Sequence, residues 1–211
     1  MNKPAPLIAI ARHRLSTDGA GVTTLVAFHG CPLRCRYCLN SQCWEPDGIR
    51  QWMTPEALVN ELMKDNLYFL ATGGGVCFGG GEPLLRSDFI VSFCQLCPKE
   101  WRINLETSLQ VETSLLEAVI PYVHYYYIDV KDLNPDIYHR YTGGTPALVQ
   151  QNLHLLASRH LQEHVTIRLP LIANYNTAAD RQRSQQLLEA LGYTRFDCFE
   201  YYVDKRASLL R

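Results

Sequence analysis

An alternation of predicted strands and helices is the feature that most constrains how this 211-residue chain folds. Apolar runs rich in β-branched and aromatic residues predict strands, and apolar residues at helical spacing after Ser, Thr or Pro predict helices. The strands are predicted at 7–11, 22–28, 73–78, 101–106, 122–130, 165–172 and 196–203, and the helices at 55–66, 87–97, 111–120, 147–161 and 177–191. Six strand–helix repeats predict an α/β fold whose parallel strands form a partial, open (β/α)6 barrel, with catalytic groups at the carboxyl ends of the strands.

The composition fits one domain over 1–211, with a core of about 16–203 and a short tail at 204–211. The chain has 20 Lys and Arg residues against 21 Asp and Glu residues, and this net charge of −1 argues against nucleic acid or a membrane surface as a partner. No apolar segment approaches the roughly 20 residues that span a bilayer, and no signal peptide is recognisable. We therefore expect a cytoplasmic monomer with reduced thiols.

Three cysteines, Cys31, Cys35 and Cys38, follow the strand 22–28 in a C-x3-C-x2-C spacing. Thiolates are soft ligands that select zinc, copper(I) or iron–sulfur clusters. A closed zinc site needs four protein ligands, and the nearest further thiol, Cys43, does not form a paired C-x2-C knuckle with them. Three thiolates on a cluster of four irons leave one iron open to bind and reduce a substrate. The spacing therefore predicts an open, catalytic 4Fe–4S site, against the alternative of three unrelated buried thiols.

The cysteine triad resembles the cluster motif of the radical S-adenosylmethionine (SAM) superfamily, in which the residue before the third cysteine is usually aromatic, as Tyr37 is here. This resemblance implies that one 4Fe–4S cluster and SAM are the cofactors. Tyr37 then offers an apolar face on which adenine can stack, or it is a plain core aromatic residue.

The segment Gly79-Gly80-Gly81-Glu82 follows the strand at 73–78. Glycines let the backbone approach a ligand closely, and Glu82 supplies an anionic acceptor, so the segment suits an α-amino group. It is similar to the Gly-Gly-Glu motif of the radical SAM family, which receives the ammonium of SAM. The alternative is a glycine-rich turn.

Charged residues end the next two strands, Glu106-Thr107 the first and Asp129-Val130-Lys131 the second. From about Ser16 to about Tyr201 the chain most resembles the glycyl-radical-enzyme activating enzymes of the pyruvate formate-lyase type, which carry an Asp-Thr pair and an Asp-x-Lys at these places. In that family the acids bind a monovalent cation beside the SAM carboxylate, and the lysine lies near the substrate or SAM. The resemblance implies these roles for Asp129 and Lys131, the candidate catalytic residues, whereas Glu106 is one methylene longer than the family's aspartate.

Arg168 lies inside an apolar strand, where an unpaired guanidinium would be costly. It matches the family's arginine on the fifth strand, which implies that it binds the SAM carboxylate; a structural ion pair with a neighbouring acid is the alternative. On the sixth strand related activating enzymes carry Pro-Tyr-His, and this chain has Glu200-Tyr201-Tyr202. Tyr202 is the candidate replacement for the missing histidine.

Five of the eight cysteines lie outside the triad. Cys94 and Cys97 form a C-x2-C within a helical pattern, which favours packing over a redox pair, and Cys77 and Cys198 are expected to pack on their strands. Cys43 has no predicted role. The resembling enzymes often have a ferredoxin-like insert of further cysteines after the triad, and because this chain passes directly to its first helix, one cluster is predicted.

The resemblance implies a glycyl-radical-enzyme activating enzyme. In this chemistry one electron enters through the cluster and cleaves SAM to methionine and a 5′-deoxyadenosyl radical, which takes hydrogen from a glycine Cα of the partner enzyme. A flavodoxin- or ferredoxin-type electron donor and anaerobic, oxygen-sensitive activity are implied with it. Two alternatives remain open: a radical SAM enzyme that acts on a small molecule or nucleotide, and a non-catalytic iron–sulfur or zinc protein.

Overall fold

The computed structural model describes residues 3–201. Its strands are, in chain order, β1 Ala5–Leu15, β2 Val22–Phe28, β3 Gln51–Met53, β4 Gly75–Gly80, β5 Arg102–Thr107, β6 Tyr125–Asp129, β7 Val165–Leu171 and β8 Phe196–Glu200. Its helices are α1 Pro55–Leu62, α2 Asn66–Thr72, α3 Ser87–Leu96, α4 Thr113–Val119, α5 Pro135–Thr142, α6 Ala147–Ser158 and α7 Ala178–Glu189. None of these helices is long and apolar enough to cross a membrane.

Over residues 3–201 the strands form one eight-stranded sheet in the order β3-β1-β2-β4-β5-β6-β7-β8. The strands from β2 through β4 to β8 pair in parallel, and β1 pairs antiparallel with both β2 and β3. The sheet is not closed, because β3 and β8 lie at its two ends. The predicted partial, open barrel of six parallel strands is therefore confirmed, and the antiparallel extension through β1 and β3 is an addition to it.

The β1–β2 turn closes the amino-terminal end of the barrel. β1 is longer than the predicted strand at 7–11, because it continues as a hairpin with β2 as far as Leu15. The turn that follows folds into the barrel: Asn104 Nδ2 donates to the Asp18 carbonyl oxygen at 2.9 Å, and the Arg168 guanidinium donates to that of Thr17 at 3.2 Å. The interior is thus open chiefly at the carboxyl ends of the strands.

Two helical segments differ from the predictions. The predicted helix at 55–66 ends as α1 at Leu62, and a 3-10 turn separates it from α2. In that turn Asp65 is only 2% exposed and accepts a hydrogen bond from Thr24 Oγ1 at 2.9 Å, which pulls the backbone out of the regular helix. Helix α5 was not predicted, although Asn134 as N-cap and Pro135 at the first position are its start signals.

The last predicted strand, at 196–203, is shorter in the structure. β8 ends at Glu200, and positions 202 and 203 lie outside the described residues. The predicted site residue Tyr202 therefore has no described position.

An aromatic layer holds the first parallel strands in place. Phe28 of β2 stacks on Phe78 of β4 with ring centroids 5.6 Å apart, and Phe78 meets Phe93 of α3 edge to face at 5.2 Å. All three side chains are buried, and each such ring contributes about 1.5–3 kcal/mol through burial. This packing fixes the ends of β2 and β4, from which the cysteine loop and the glycine turn emerge.

Candidate functional site

A cavity of about 600 Å³ lies at the carboxyl ends of the parallel strands. Most of the predicted site residues line it: Cys31, Cys35, Cys38, Gly80, Gly81, Glu106, Thr107, Asp129, Lys131 and Arg168. Tyr37, Gly79 and Glu82 are each adjacent in sequence to a lining residue but do not line the cavity themselves. The topology therefore brings residues from across 138 positions of sequence, Cys31 to Arg168, to a single site.

Helix α5 supports the loop that carries the three predicted cluster ligands. The Arg34 amide donates to the Thr142 carbonyl oxygen at 2.9 Å, and the Arg36 amide donates to that of Tyr141 at 3.1 Å. A further hydrogen bond, from the Cys38 amide to the Cys35 carbonyl oxygen at 3.2 Å, turns the loop back on itself. The end of α5 thus sets the path of the backbone between the cysteines.

The cysteine thiols are held in a low-dielectric environment. Burial, followed by the charge of Glu82, raises the pKa of Cys31 to about 12, and burial raises that of Cys35 to about 11 although Lys131 opposes the shift. Such thiols become thiolates when a metal lends positive charge. The site is therefore suited to a bound metal centre rather than to a free nucleophilic thiolate.

The donor set fits an iron–sulfur cluster. Within residues 3–201 no three Cys, His, Asp or Glu side chains lie close enough together to hold a single metal ion. Cys31, Cys35 and Cys38 face one cavity, and in a polynuclear cluster each thiolate takes its own iron. Cys43, for which no role was predicted, is buried beside them; a hydrogen bond with Cys38, and then burial, raise its pKa well above the ordinary value.

The glycine turn after β4 requires glycine at two positions. Gly80 has φ +94°, and a Cβ on Gly81 would lie 2.2 Å from the Gly30 carbonyl oxygen. The Gly81 amide donates to the Phe28 carbonyl oxygen at 2.9 Å, and the Glu82 amide donates to that of Gly30 at 2.8 Å. The turn is therefore fastened to the start of the cysteine loop.

The Glu82 carboxylate is used by its own chain. It accepts hydrogen bonds from Thr107 Oγ1 at 2.6 Å, from the Ser108 amide at 2.9 Å and from Ser108 Oγ at 2.7 Å, and it is 1% exposed. Burial raises its pKa, against these hydrogen bonds. Glu82 thus joins the glycine turn to the end of β5 and does not open onto the cavity.

Two ion pairs lie inside the cavity. The Arg168 guanidinium donates to Glu106 at 2.8 Å, and Lys131 Nζ lies 3.3 Å from the Asp129 carboxylate. Burial raises the pKa of Glu106 although Arg168 opposes the shift, whereas Asp129 holds the pKa of Lys131 above its ordinary value despite burial. Arg168 therefore has the structural partner that the sequence left open as an alternative.

Tyrosines form the wall behind the third cysteine. The Tyr37 ring meets those of Tyr141 and Tyr175 with centroids 6.1 Å and 5.6 Å away, and Tyr201 Oη donates to the Tyr37 carbonyl oxygen at 2.8 Å. Tyr37 is therefore packed among aromatic residues. Tyr201, which directly follows β8, lines the cavity.

Several cavity residues were missed by the sequence analysis: Ser16, Thr17, Asn40, Cys43, Ser108, Tyr127, Asp197 and Tyr201. For Asp197, Phe199 and Tyr201 the period of two along β8 was an available signal, since alternate residues face the same side of a strand. Tyr127 lies two residues before Asp129 on β6, so the same signal was available there. The remaining missed residues lie in turns, in the cysteine loop or just after a strand, where no periodic pattern marks them.

The cysteines outside the triad mostly pack as predicted. Cys77, Cys94 and Cys97 are buried, and Cys94 and Cys97 belong to the main hydrophobic core, so the prediction of packing thiols is confirmed. The prediction for Cys198 is wrong: its side chain is exposed, because it lies on the outer face of β8 at the end of the sheet.

These features define a class of protein: an open parallel barrel with three cysteine thiols facing a cavity at its carboxyl edge. Residues 25–181 match the family model described as the Radical SAM superfamily, and the chain belongs to this family.

Curated relatives include activating enzymes. The chain is 27% identical to the (2S)-3-sulfopropanediol dehydratase activating enzyme of Klebsiella oxytoca, over 83% of this chain and 74% of that protein. It is 33% identical to the pyruvate formate-lyase-activating enzyme of Clostridium pasteurianum, over 60% of this chain and 52% of that protein. It is 25% identical to the pyruvate formate-lyase 1-activating enzyme of Escherichia coli K12, over 78% of this chain and 67% of that protein. The chain thus matches between about half and three quarters of the length of these relatives.

Solved structures show the same fold. SuiB of Streptococcus suis has a TM-score of 0.62 at 15% identity, over 84% of this chain and 39% of that one. The structure of anSMEcpe with bound AdoMet has a TM-score of 0.61 at 16% identity, over 82% of this chain and 49% of that one.

Proposed function

We propose that the protein is an activating enzyme that cleaves SAM reductively at one 4Fe–4S cluster and takes a hydrogen atom from a glycine of a glycyl radical enzyme. The observation that carries the proposal is the convergence of three thiols, a glycine turn and two ion pairs on one cavity. Relatives that are named activating enzymes support the substrate class. When bound, the cluster would supply the electron, and SAM the radical that abstracts hydrogen.

Each part of the site has a role in this proposal. Cys31, Cys35 and Cys38 hold the cluster, and the backbone of Gly79–Gly81 receives the ammonium of SAM. Glu82 supports that turn from behind through Thr107, whose hydroxyl donates to it at 2.6 Å. The protein thus contributes position and exclusion of water.

Arg168 binds the carboxylate of SAM in competition with Glu106, because both carboxylates accept hydrogen bonds from the same guanidinium. Lys131, held by Asp129 at 3.3 Å, adds a positive charge near the cysteine loop, where its field acts on Cys35. Tyr37 stacks on adenine through the part of its ring that its neighbours leave open. The role of Tyr202 as a substitute for the family's histidine stays part of the proposal.

A monovalent cation is the finer part of the proposal. Asp129 is the better candidate ligand, since its side chain is 32% exposed and its partner lies 3.3 Å away, whereas Glu106 is held by Arg168 at 2.8 Å. A cation at Asp129 would add a positive charge beside the SAM carboxylate.

The partner would meet the open rim of the barrel, where Leu39 is 74% exposed and lines the cavity. We propose that the protein acts as a cytoplasmic monomer without nucleic acid or membrane, that a flavodoxin- or ferredoxin-type protein reduces it, and that it works anaerobically.

One observation favours a second candidate, a radical SAM enzyme with a small polar substrate. Asp197 of β8 is exposed in the cavity, lies in register with Arg168 on β7, and has no ion pair within the described part of the chain. An anionic side chain and a cationic side chain in register would suit a small molecule or nucleotide that carries both a positive and a negative charge.

The first test is SAM cleavage by the anaerobically reconstituted, chemically reduced protein. We expect methionine and 5′-deoxyadenosine as products, their loss in Cys35→Ser, and their retention in Cys94→Ser, whose thiol lies in the core. Equal loss in both variants, or no product from the wild-type protein, would contradict the proposal and favour a non-catalytic metal protein.

The second test separates the two substrate classes. A glycyl radical enzyme from the same organism is prepared with α-deuterated glycine and mixed with the reduced protein and SAM. We expect a glycyl radical signal in electron paramagnetic resonance (EPR) and deuterium in the 5′-deoxyadenosine. Cleavage of SAM with neither result would favour the small-molecule substrate.

A further inference from the structure

Asn40 links the segment that follows the third cysteine of the loop to the glycine turn. It lies two residues after Cys38, and its Nδ2 donates to the Gly80 carbonyl oxygen at 3.0 Å. Both residues line the cavity. The bond spans 40 positions of sequence and connects the two segments that the proposed function assigns to the cluster and to the SAM ammonium.

The opposite side of the glycine turn is already held by backbone. The Gly81 and Glu82 amides donate to the Phe28 and Gly30 carbonyl oxygens, at the start of the cysteine loop. The Gly80 peptide itself lies at φ +94°, in a region that leaves glycine several backbone conformations of similar energy. A side-chain donor on its carbonyl therefore selects one orientation of this peptide.

A carbonyl oxygen has two lone pairs, so the bond from Asn40 leaves one free to accept from a ligand in the cavity. A cationic donor such as an ammonium binds best to an acceptor that is already oriented, because no reorganisation is needed on binding.

The main chain of Asn40 is held as well. Its carbonyl oxygen accepts from the Cys43 amide at 2.9 Å, and the Cys43 carbonyl oxygen accepts from the Gly30 amide at 3.0 Å.

We propose that Asn40 is a positioning residue that orients the Gly80 carbonyl and sets the distance between the cysteine loop and the amino group of SAM. This inference rests on the proposed function. Asn40 acts through Gly80 and needs no contact with SAM.

The test compares Asn40→Ala and Asn40→Asp with Gln42→Glu. Asn40→Asp keeps the shape of the side chain but sets an anion against a carbonyl oxygen. Gln42→Glu makes the same amide-to-acid change on an exposed side chain of the same loop. For each protein, iron and sulfide content, SAM affinity by anaerobic calorimetry, and the change in the EPR spectrum of the reduced cluster on SAM addition are measured.

We expect SAM affinity to fall about 10-fold to 100-fold in both Asn40 variants, with a smaller SAM-dependent spectral change and unchanged iron content. Gln42→Glu should match the wild type. SAM affinity within about twofold of wild type in Asn40→Asp, or a loss of iron that parallels the loss of affinity, would overturn the inference. Absence of SAM binding by the wild-type protein would instead overturn the proposed function itself.

Discussion

Arg168 contacts three groups of its own chain. Its guanidinium contacts the Glu106 carboxylate at 2.8 Å and the Thr17 carbonyl oxygen at 3.2 Å, and it lies 4.9 Å from the centre of the Tyr127 ring. A guanidinium in an apolar strand without such partners would lose its hydration, and no hydrogen bond or ion pair would offset that cost. A carboxylate ligand therefore competes with Glu106 for this cation. The ion pair that stabilises the folded protein thus weakens the binding of the ligand.

Glu106→Gln should separate these two effects. We expect the free energy of unfolding to fall by about 1–3 kcal/mol, because Arg168 loses a charged partner, and SAM to bind about threefold to tenfold more tightly, because its competitor is gone. Urea unfolding and anaerobic calorimetry measure the two quantities. Glu117→Gln, which breaks the exposed pair with Arg159, is the control and should change neither. Weaker SAM binding in Glu106→Gln would contradict the competition.

Glu82 makes a prediction about pH. Burial raises its pKa above the ordinary value of 4.5, so the folded protein holds this proton more tightly than the unfolded chain does. The stability that protonation contributes is present at acid pH and is lost as the pH rises through the raised pKa. The unfolding free energy of the wild type should therefore fall, relative to that of Glu82→Gln, as the pH rises above the ordinary value of 4.5 and through the raised pKa. A difference that stays constant as the pH rises would show that Glu82 does not titrate this way. Glu112→Gln, which removes a carboxylate from an exposed side chain, is the control variant.

At the scale of elements, the cysteine loop depends on a helix that is distant in sequence. Helix α5 presents the Tyr141 and Thr142 carbonyl oxygens to amides of the loop. The helix has eight residues, so it is marginal by itself and relies on its N-cap, where Asn134 accepts from the Asp136 amide at 2.9 Å. The geometry between the cysteines is thus coupled to the stability of α5.

Asn134→Ala should therefore weaken the hold on the cluster. We expect a loss of about 1 kcal/mol in unfolding free energy and faster release of iron to a chelator from the reconstituted protein. Glu112→Ala is the matched control, because Glu112 is the N-cap of α4 and makes no capping hydrogen bond with its side chain. Equal rates of iron release in the two variants would show that the loop holds its shape without α5.

The order of elements could be predicted from the sequence because strand and helix periodicity are local properties. The triad and the glycine turn could be recognised because their spacing is short. The Glu106–Arg168 pair could not, since it joins β5 and β7, whose register is set by packing across the sheet. The bond from Tyr201 to Tyr37 could not either, because it joins segments 164 positions apart. The β1–β3 extension was missed for the same reason: β3 has three residues, too few to show a period, and it forms only against β1.

At the scale of the whole molecule, the open sheet leaves one face of the cavity accessible. The hairpin turn after β1 closes the amino-terminal end, and β3 and β8 do not meet. Leu39, 74% exposed, projects at the rim beside the cysteine loop. A protein segment that docks at this rim, as the proposed function requires, would cover the Leu39 side chain.

Leu39→Asp should for this reason uncouple the two halves of the proposed reaction. We expect the glycyl radical signal on the partner to fall at least about tenfold, because a charge replaces an apolar contact, while SAM cleavage without the partner changes little. Leu67→Asp is the control, since Leu67 is 75% exposed on α2, outside the cavity lining, and should leave both measurements unchanged. If Leu39→Asp lowered SAM cleavage and radical transfer equally, Leu39 would belong to the cofactor site, and the partner would have to dock elsewhere on the rim.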